Sequence, residues 1–411
     1  MALELSKENI ADYLRKQTKL FTSDPIAVHE LSSDDSIENE GYVNFLFRVS
    51  QNDKSYIVKQ ARTYLRQEGI VDYLSTERNQ LEYLSFVLRA KIISDHVPKV
   101  YFIDTVNNVF MMDDLSRESR IMRFQLNEGK EFPLFARQIG TFMAKNHFYT
   151  SELYLSKETF RSLQYHFFNP HMRQIMEDIV LNKVDFGADL PTPLKKISDH
   201  FWERPEIRLA ILKVRENFIK KGECLVHGDL HTSNLFVNDK NVFVTDMEYA
   251  FVAPFSYDIG YLLANFISQY AAFNFKMDLS KAKRAAYQNY LLNTIEQVFE
   301  VYFECFRAAF EREAKALYKE TAGYLEHLFK DIFQESLGVM AVANMLRIIN
   351  LALFPDFDCI TNSPTDKLLA QCLSLKIDEY LLFNQTEITT PKMLVQGIKK
   401  TRQDYLNLLD Q

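Results

Sequence analysis

Apolar positions change their period near residue 115, and that change divides the chain. Residues 1–20 carry apolar side chains at helical spacing and predict a short amphipathic helix. Between about 41 and 60 the pattern shortens. Residues 41–50 and 55–60 predict two strands joined by a polar turn. Residues 73–90 return to helical spacing, and 97–104 and 109–115 predict two further strands. Beyond this point helical patterns dominate, at 133–150, 206–221, 257–275, 282–320, 321–353 and 364–382. Residues 182–193, with Gly187, Pro191 and Pro193, predict a loop. A short β-rich island, 225–248, interrupts the helices. The pattern predicts an α+β protein of two lobes. Residues 1–115 form a small β-rich N-terminal lobe, and residues 116–411 a larger, mostly helical C-terminal lobe. The hinge falls near 111–116.

Composition narrows the class. The 411 residues are 47% hydrophobic and 25% charged, ordinary for a globular chain with a large core. Thirty-three Phe and 21 Tyr argue against disorder. Net charge is -7, and Lys and Arg are scattered, so no basic footprint for nucleic acid is present. An acidic protein still takes an anionic nucleotide when Mg²⁺ and local donors supply positive charge. Cys224, Cys305, Cys359 and Cys372 form no CxxC pair, which weakens zinc and redox readings. The first ten residues have no apolar signal core. No uncharged run reaches the ~18 residues of a membrane span. These features read as cytoplasmic, with no membrane partner. No internal repeat is visible.

The island carries the chemistry. It holds His-Gly-Asp-Leu-His-Thr-Ser-Asn at 227–234 and Thr-Asp-Met-Glu at 245–248. Phosphoryl transfer asks the protein for positioning. A carboxylate must accept a hydrogen bond from the attacking hydroxyl, and oxygen ligands must hold Mg²⁺ on the β- and γ-phosphates of ATP. His-x-Asp with an Asn five residues after the Asp puts both roles on one loop. Asp229 is then the base and Asn234 a metal ligand. Asp246, after the next strand, is the main metal ligand. Glu248 falls on the same side if that strand continues. A polar turn beside a strand explains His-Gly-Asp alone. It does not explain the Asn, the hairpin, Asp-x-Glu and Tyr257-Asp258-Ile259-Gly260 together. His227 and Asp258 are read as structural support, with Asp258 bracing the loop from the following helix.

A kinase reading also demands a strand lysine for the α/β-phosphates and a helix glutamate to hold it. Lys59 ends a strand in the expected place. Glu77 and Glu82 both lie on the next helix, and Glu82 is preferred. Residues 38–44, with Gly41 and Asn44, are the candidate phosphate-covering loop. The segment from Met112 through Asp113 to Leu115 would line an adenine pocket through backbone groups. Asp113 and Asp114 are read as acting through backbone alone.

These motifs resemble the aminoglycoside phosphotransferase and choline kinase superfamily, and within it the 5-methylthioribose kinase family. The supporting pieces are GYVNFLFRV, IVKQARTYLR, MMDDLS, FNPHMRQIMEDIV, HGDLHT, DMEYAF and SLGVMAVANMLRIINLA, in the family's order over nearly the whole chain. The resemblance implies a bilobal protein-kinase-like fold, ATP and Mg²⁺, and a homodimer. It implies phosphorylation of the anomeric hydroxyl of methylthioribose in methionine salvage. It assigns Lys59 and Glu82 as the lobe pair, Asp229 as base, and Asp246 with Glu248 as the metal-binding pair. Three departures stand out. Ser233-Asn234 replaces the family's Gly-Ser. Arg347 is followed by Ile348 where the family has two adjacent arginines near the substrate. No Trp occurs in 67–74, where the family has Gly-Glu-Ser-Trp.

Arg347 lies in an apolar helix, where an unpaired guanidinium would be costly. It either pairs with a structural carboxylate or faces the cleft, and the resemblance favours the cleft. His147, His166, His171 and Trp202 read as core or surface residues. The aromatic run 261–275 reads as core packing. Two other functions compete: a choline- or aminoglycoside-type phosphotransferase, and a nucleotide-binding pseudokinase without activity.

Overall fold

Alternation along the third strand sets the N-terminal lobe. Tyr56 and Val58 face one side of the sheet, and Ile57 and Lys59 face the other. The structure is a computed structural model. It describes residues 3–31, 44–63, 74–179, 181, 190–351, 355–361 and 363–410.

The lobe contains α1 (Ile10–Gln17), β1 (Ala27–Glu30), β2 (Phe45–Gln51), β3 (Lys54–Gln60), α2 (Glu77–Ile93), β4 (Val100–Asp104) and β5 (Val109–Asp113). The strands form one antiparallel sheet in the order β1-β2-β3-β5-β4. The β2–β3 turn needs only two residues because Asn52 adopts a positive φ of 54°. Phe47, Val49, Tyr56, Val58, Val109 and Met111 pack against Ile10, Tyr13 and Leu14 of α1. The opposite face, with Ile57, Phe110 and Met112, joins Phe86 of α2 and the core of the other lobe.

Helix α2 buries a charged stripe. Arg78, Glu82, Ser85 and Arg89 recur at spacings of four, three and four, which places them on one face. Buried charges persist only when paired, so this face must meet charged or polar partners.

The C-terminal lobe begins with β6 (Arg120–Ile121) and α3 (Met122–Asn127), then α4 (Phe135–Tyr149), α5 (Lys157–His166), α6 (Pro170–Ile179), α7 (Thr192–Glu203) and α8 (Pro205–Lys220). Four short strands follow: β7 (Cys224–Val226), β8 (Leu235–Val237), β9 (Val242–Val244) and β10 (Phe251–Ala253). They pair as β10-β7 and β6-β8-β9. Then come α9 (Ser256–Phe275), α10 (Lys281–Glu313), α11 (Ala316–Lys319), α12 (Tyr324–Leu346), α13 (Pro364–Asn384) and α14 (Pro391–Leu409). This is the bilobal α+β architecture that the hydrophobic pattern predicts.

Every residue of α9 is buried. Helix α12 approaches it so closely that a Cβ at Gly260 would meet the Ser336 carbonyl oxygen at 2.5 Å. The last turn of α12 widens into a π-helical segment, Arg347–Leu351.

The structure adds β1, β6, α3, α5, α6 and α7 to the elements the pattern predicts, and three further differences have local causes. The single helix expected over 282–320 breaks at Ala314, where the backbone extends and the Lys315 N–H donates to Leu153 O at 3.0 Å. Helix α14 went unpredicted because its apolar stripe is diluted by Lys, Gln, Arg and Asp. Residues Tyr324–Ile349 are long and apolar enough to cross a membrane, although no uncharged run is that long. The qualifying window is 89% buried inside the fold, so this is a core helix.

Candidate active site

The loop after β7 is shaped from beneath by α9. Asp258 accepts the N–H groups of His227 at 2.6 Å and Gly228 at 3.1 Å. One turn on, Tyr261 turns its hydroxyl to Asp229. One turn further, Asn265 accepts the Thr232 N–H at 3.3 Å. Positions 258, 261 and 265 share a helix face by spacing alone. Gly228 has φ 90°, and a Cβ there would meet Tyr249 O at 2.3 Å, so the loop requires glycine.

His227 is held as a neutral ring. Its Nε2–H donates to Thr245 O at 2.7 Å, and its Nδ1 accepts the Asp229 N–H at 3.2 Å. Burial pushes its pKa down. The Asn234 side-chain amide donates to Asp229 O at 2.9 Å.

Asp229 keeps 17% of its side chain exposed, a window onto the cleft. Burial raises its pKa, but His231 nearby, then His227 and Tyr261, more than offset this. The carboxyl is held well below the usual carboxylate range. His231 Nε2 lies 3.3 Å from Asp229 Oδ2.

The charged face of α2 meets its partners on the other side of the cleft. Lys59 Nζ lies 2.7 Å from Glu82 Oε2 and also contacts Asp246 Oδ1. Glu77, the other candidate, is exposed at the start of α2. The Arg78 guanidinium lies 3.2 Å from Glu248, and Asn44 Nδ2 donates to Glu248 at 2.8 Å. Asn44 Oδ1 accepts in turn from Arg78 at 3.1 Å. Ser85 faces the Met247 sulfur, and Arg89 donates to Val226 O at 2.9 Å.

Glu248 does not follow Asp246 along a continued strand, contrary to the expectation above. Strand β9 ends at Val244, Asp246 adopts a left-handed conformation (φ 61°), and a tight turn, Met247–Tyr249, carries Glu248 back. The turn still gathers Glu82, Asp246 and Glu248, with carboxylate oxygens within 4.8 Å of one another. Burial, with the neighbouring carboxylates, raises the pKa of Glu82 and of Glu248 against the pull of Lys59. Burial opposes the charge on Lys59, but Asp246, Glu82 and Glu248 outweigh it and hold the lysine protonated. Ionised together, the three carboxylates would outnumber Lys59 and Arg78, and such a set of hard oxygen donors suits a cation such as Mg²⁺. Asp246, 38% exposed at its side chain, is the member open to the cleft.

At the lobe junction Asp113 and Asp114 do more than lend backbone. Asp113 accepts from Tyr101 Oη at 2.6 Å and from the Lys99 N–H at 2.9 Å. Asp114 accepts from Arg48 at 2.9 Å, Ser55 at 2.6 Å and the Ser116 N–H at 3.1 Å. Their side chains pin β2, β3 and β4 to this corner. Met112 is buried in the core, and Leu115 opens a short turn, Leu115–Arg117. Gly41 and residues 67–73 lie outside the described residues.

Arg347 sits where α12 widens. It is buried, and its guanidinium lies 4.2 Å from the centre of the Tyr261 ring. It therefore approaches the 227–234 loop by way of Tyr261, whose hydroxyl helps to lower the Asp229 pKa. Ile348 is buried beside it. Trp202 belongs to the core, His147 is buried beside Asp258 and Tyr302, and His166 and His171 are exposed.

Sequence reasoning missed Arg78, Arg123, His231, Tyr261 and Asn265. Tyr261 and Asn265 had a usable signal, their helical spacing from Asp258. The arginines had none, because each meets its partner across a long stretch of chain.

Residues 174–296 match the model of the phosphotransferase enzyme family. A methylthioribose kinase of Bacillus cereus is 31% identical over 347 residues, covering 84% of this chain and 85% of that protein. A methylthioribose kinase of Geobacillus sp. (strain WCH70) is 29% identical over 373 residues, covering 90% and 88%. A crystal structure of choline kinase from Cryptosporidium parvum Iowa II overlays with a TM-score of 0.48 at 14% identity, over 95% of this chain and 99% of that one.

Proposed function

The chain belongs to the methylthioribose kinase family, and on that premise we propose that it transfers the γ-phosphoryl group of ATP to the anomeric hydroxyl of 5-methylthioribose, a step of methionine salvage. The observation that carries this reading is the pairing of two unlike carboxylate sets across one cleft. One is the low-pKa, partly exposed Asp229, and the other is the Glu82, Asp246 and Glu248 group with its lysine.

Asp229 accepts a hydrogen bond from the acceptor hydroxyl and aims its oxygen at the γ-phosphorus. Its low pKa makes it a weak base. It takes the proton late, as the new P–O bond forms and the bond to ADP breaks, which suits a loose transition state. Lys59, held by Glu82, faces the α- and β-phosphates. Asn234, Asp246 and Glu248 would hold Mg²⁺, which when bound neutralises charge on the β- and γ-phosphates. Asn44 and Arg78 support Glu248 in that role. Gly41 belongs to the phosphate-covering loop. Backbone groups from Met112 through Asp113 to Leu115, at the junction of lobes 1–115 and 116–411, take the adenine. Arg347 binds the acceptor. The working form is a cytoplasmic homodimer.

ATP consumption measured across methylthioribose, choline, aminoglycosides and common sugars tests the reading. Turnover with methylthioribose above all others is the expected result. Preference for another acceptor would move the chain to a different substrate. Tight Mg-ATP binding with no turnover on any acceptor would make it a pseudokinase.

A further inference from the structure

Asp229 has a second layer of support, which ends in a buried ion pair. His231 presents Nε2 to Asp229 Oδ2 at 3.3 Å. Among the described residues, its other nitrogen, Nδ1, is approached by two groups that can only donate. They are the Ser233 N–H at 3.2 Å and Arg123 Nη2 at 3.4 Å. A nitrogen facing two donors keeps its lone pair, so the ring proton sits on Nε2, toward Asp229.

Arg123 comes from α3, more than a hundred residues earlier in the chain. It is buried, with Nε 3.6 Å from Asp356 Oδ1, and Asp356 is buried as well. Asp356 also accepts from Asn265 Nδ2 at 2.8 Å, and Asn265 holds the Thr232 N–H. The chain of contacts therefore closes on itself. It runs from Asp356 through Arg123 and His231 to Asp229, and returns from Thr232 through Asn265 to Asp356.

We propose that Arg123, held by Asp356, is a positioning residue for phosphoryl transfer: it fixes His231 in the Nε2–H tautomer, so that an N–H rather than a lone pair faces Asp229. The opposite tautomer would set a lone pair against a carboxylate at hydrogen-bond distance. Asp229 would then rotate away or bind a proton, and either change removes the acceptor for the substrate hydroxyl. The inference rests on Asp229 being the base. A buried Arg–Asp pair that served the core alone would change stability on removal and leave both the tautomer and turnover untouched.

The ring state can be read without nucleotide or acceptor. In ¹⁵N-histidine-labelled protein, His231 is assigned by the signal lost in His231→Gln. The wild type should show Nε2 protonated and Nδ1 bare. The double variant Arg123→Met/Asp356→Leu removes both charges together, so no lone buried ion is left. It should admit the Nδ1–H tautomer. Its kcat should fall about 10- to 100-fold, the worth of one hydrogen bond to a charged group, with KM for ATP and acceptor unchanged.

If that variant does not fold, the His231 pair carries the kinetic test. His231→Gln places an amide N–H near the Nε2 position and should retain more kcat than His231→Leu. A wild-type ring protonated on Nδ1 overturns the proposal. So does a His231→Leu variant with wild-type kcat when Asp229→Asn is inactive. Full activity in Asp229→Asn would instead overturn the assignment of the base, while the tautomer result would stand.

Discussion

The two sides of the cleft treat carboxylates in opposite ways. On the phosphate side, Glu82, Asp246 and Glu248 crowd around Lys59 and Arg78, and burial raises the pKa of Glu82 and Glu248. On the acceptor side a single carboxylate, Asp229, is oversupplied with partners, and its pKa is lowered. Fully ionised, the first set would carry more negative charge than its own cations balance. The second is complete before any ligand binds. One fold thus keeps a crowded carboxylate group beside a well-partnered single carboxylate, with Asp246 only 17 residues after Asp229, because different elements serve them. Strand β3 and helix α2 bring the cations of the first, and α9 brings the hydroxyl and the acceptors that shape the loop of the second.

The largest test of this contrast is Asp229→Asn. It should lower kcat by about 10³-fold, within the range for a positioned general base, and leave ATP affinity unchanged by calorimetry. Retained turnover would dissolve the distinction between the sides. Next comes Lys59→Met, which strands the carboxylate group with Arg78 alone. Loss of one partner from a buried ion pair costs about 3–5 kcal/mol, measurable by denaturant unfolding without nucleotide. Glu82→Gln, which relieves the negative excess, should cost less. The reverse order would mean that the group is not short of positive charge.

Arg347→Ala should raise the acceptor KM about 30-fold, or about 2 kcal/mol for a charged hydrogen bond, with KM for ATP unchanged. An unaltered acceptor KM would remove Arg347 from the acceptor side. The smallest effect belongs to a remote control, Asp378. It is buried on α13, accepts from the Asn344 amide at 2.9 Å through both its oxygens, and burial raises its pKa well above the ordinary value. A raised folded-state pKa means that folded protein holds the proton more tightly than unfolded protein. Its contribution to stability is full below the usual carboxylate range and is lost as pH rises. Asp378→Asn should be near neutral in stability at pH 4 and gain on the wild type toward pH 8. A stability difference that stays flat with pH would show Asp378 ionised throughout.

Much of this was legible in sequence because it was local. The Lys59 strand, the Asp229 loop and Asp246 sit at short, characteristic spacings, and the apolar periods of α2, α9 and α12 gave the lobes that hold them. Glu248 reached the right place by an unforeseen route, since a left-handed Asp246 leaves no mark in a strand pattern. The charged stripe of α2 blurred the apolar signal that marks a buried helix face. Arg78 and Arg123 were silent because their partners, Glu248 and Asp356, lie far along the chain. Tyr261 was hidden by its neighbours, a wholly buried aromatic helix in which one ring does polar work.

That helix has a consequence for biosynthesis. The Asp229 loop takes its shape from Asp258, Tyr261 and Asn265, and Tyr261 and Asn265 are in turn held by Arg347 and Asp356. A ribosome extends the chain in one direction, so the loop leaves the exit tunnel well before its template is finished. The contacts that shape this loop are complete only once residue 356 has emerged. Truncations anywhere upstream of that point would yield fragments without turnover, whatever nucleotide they still hold.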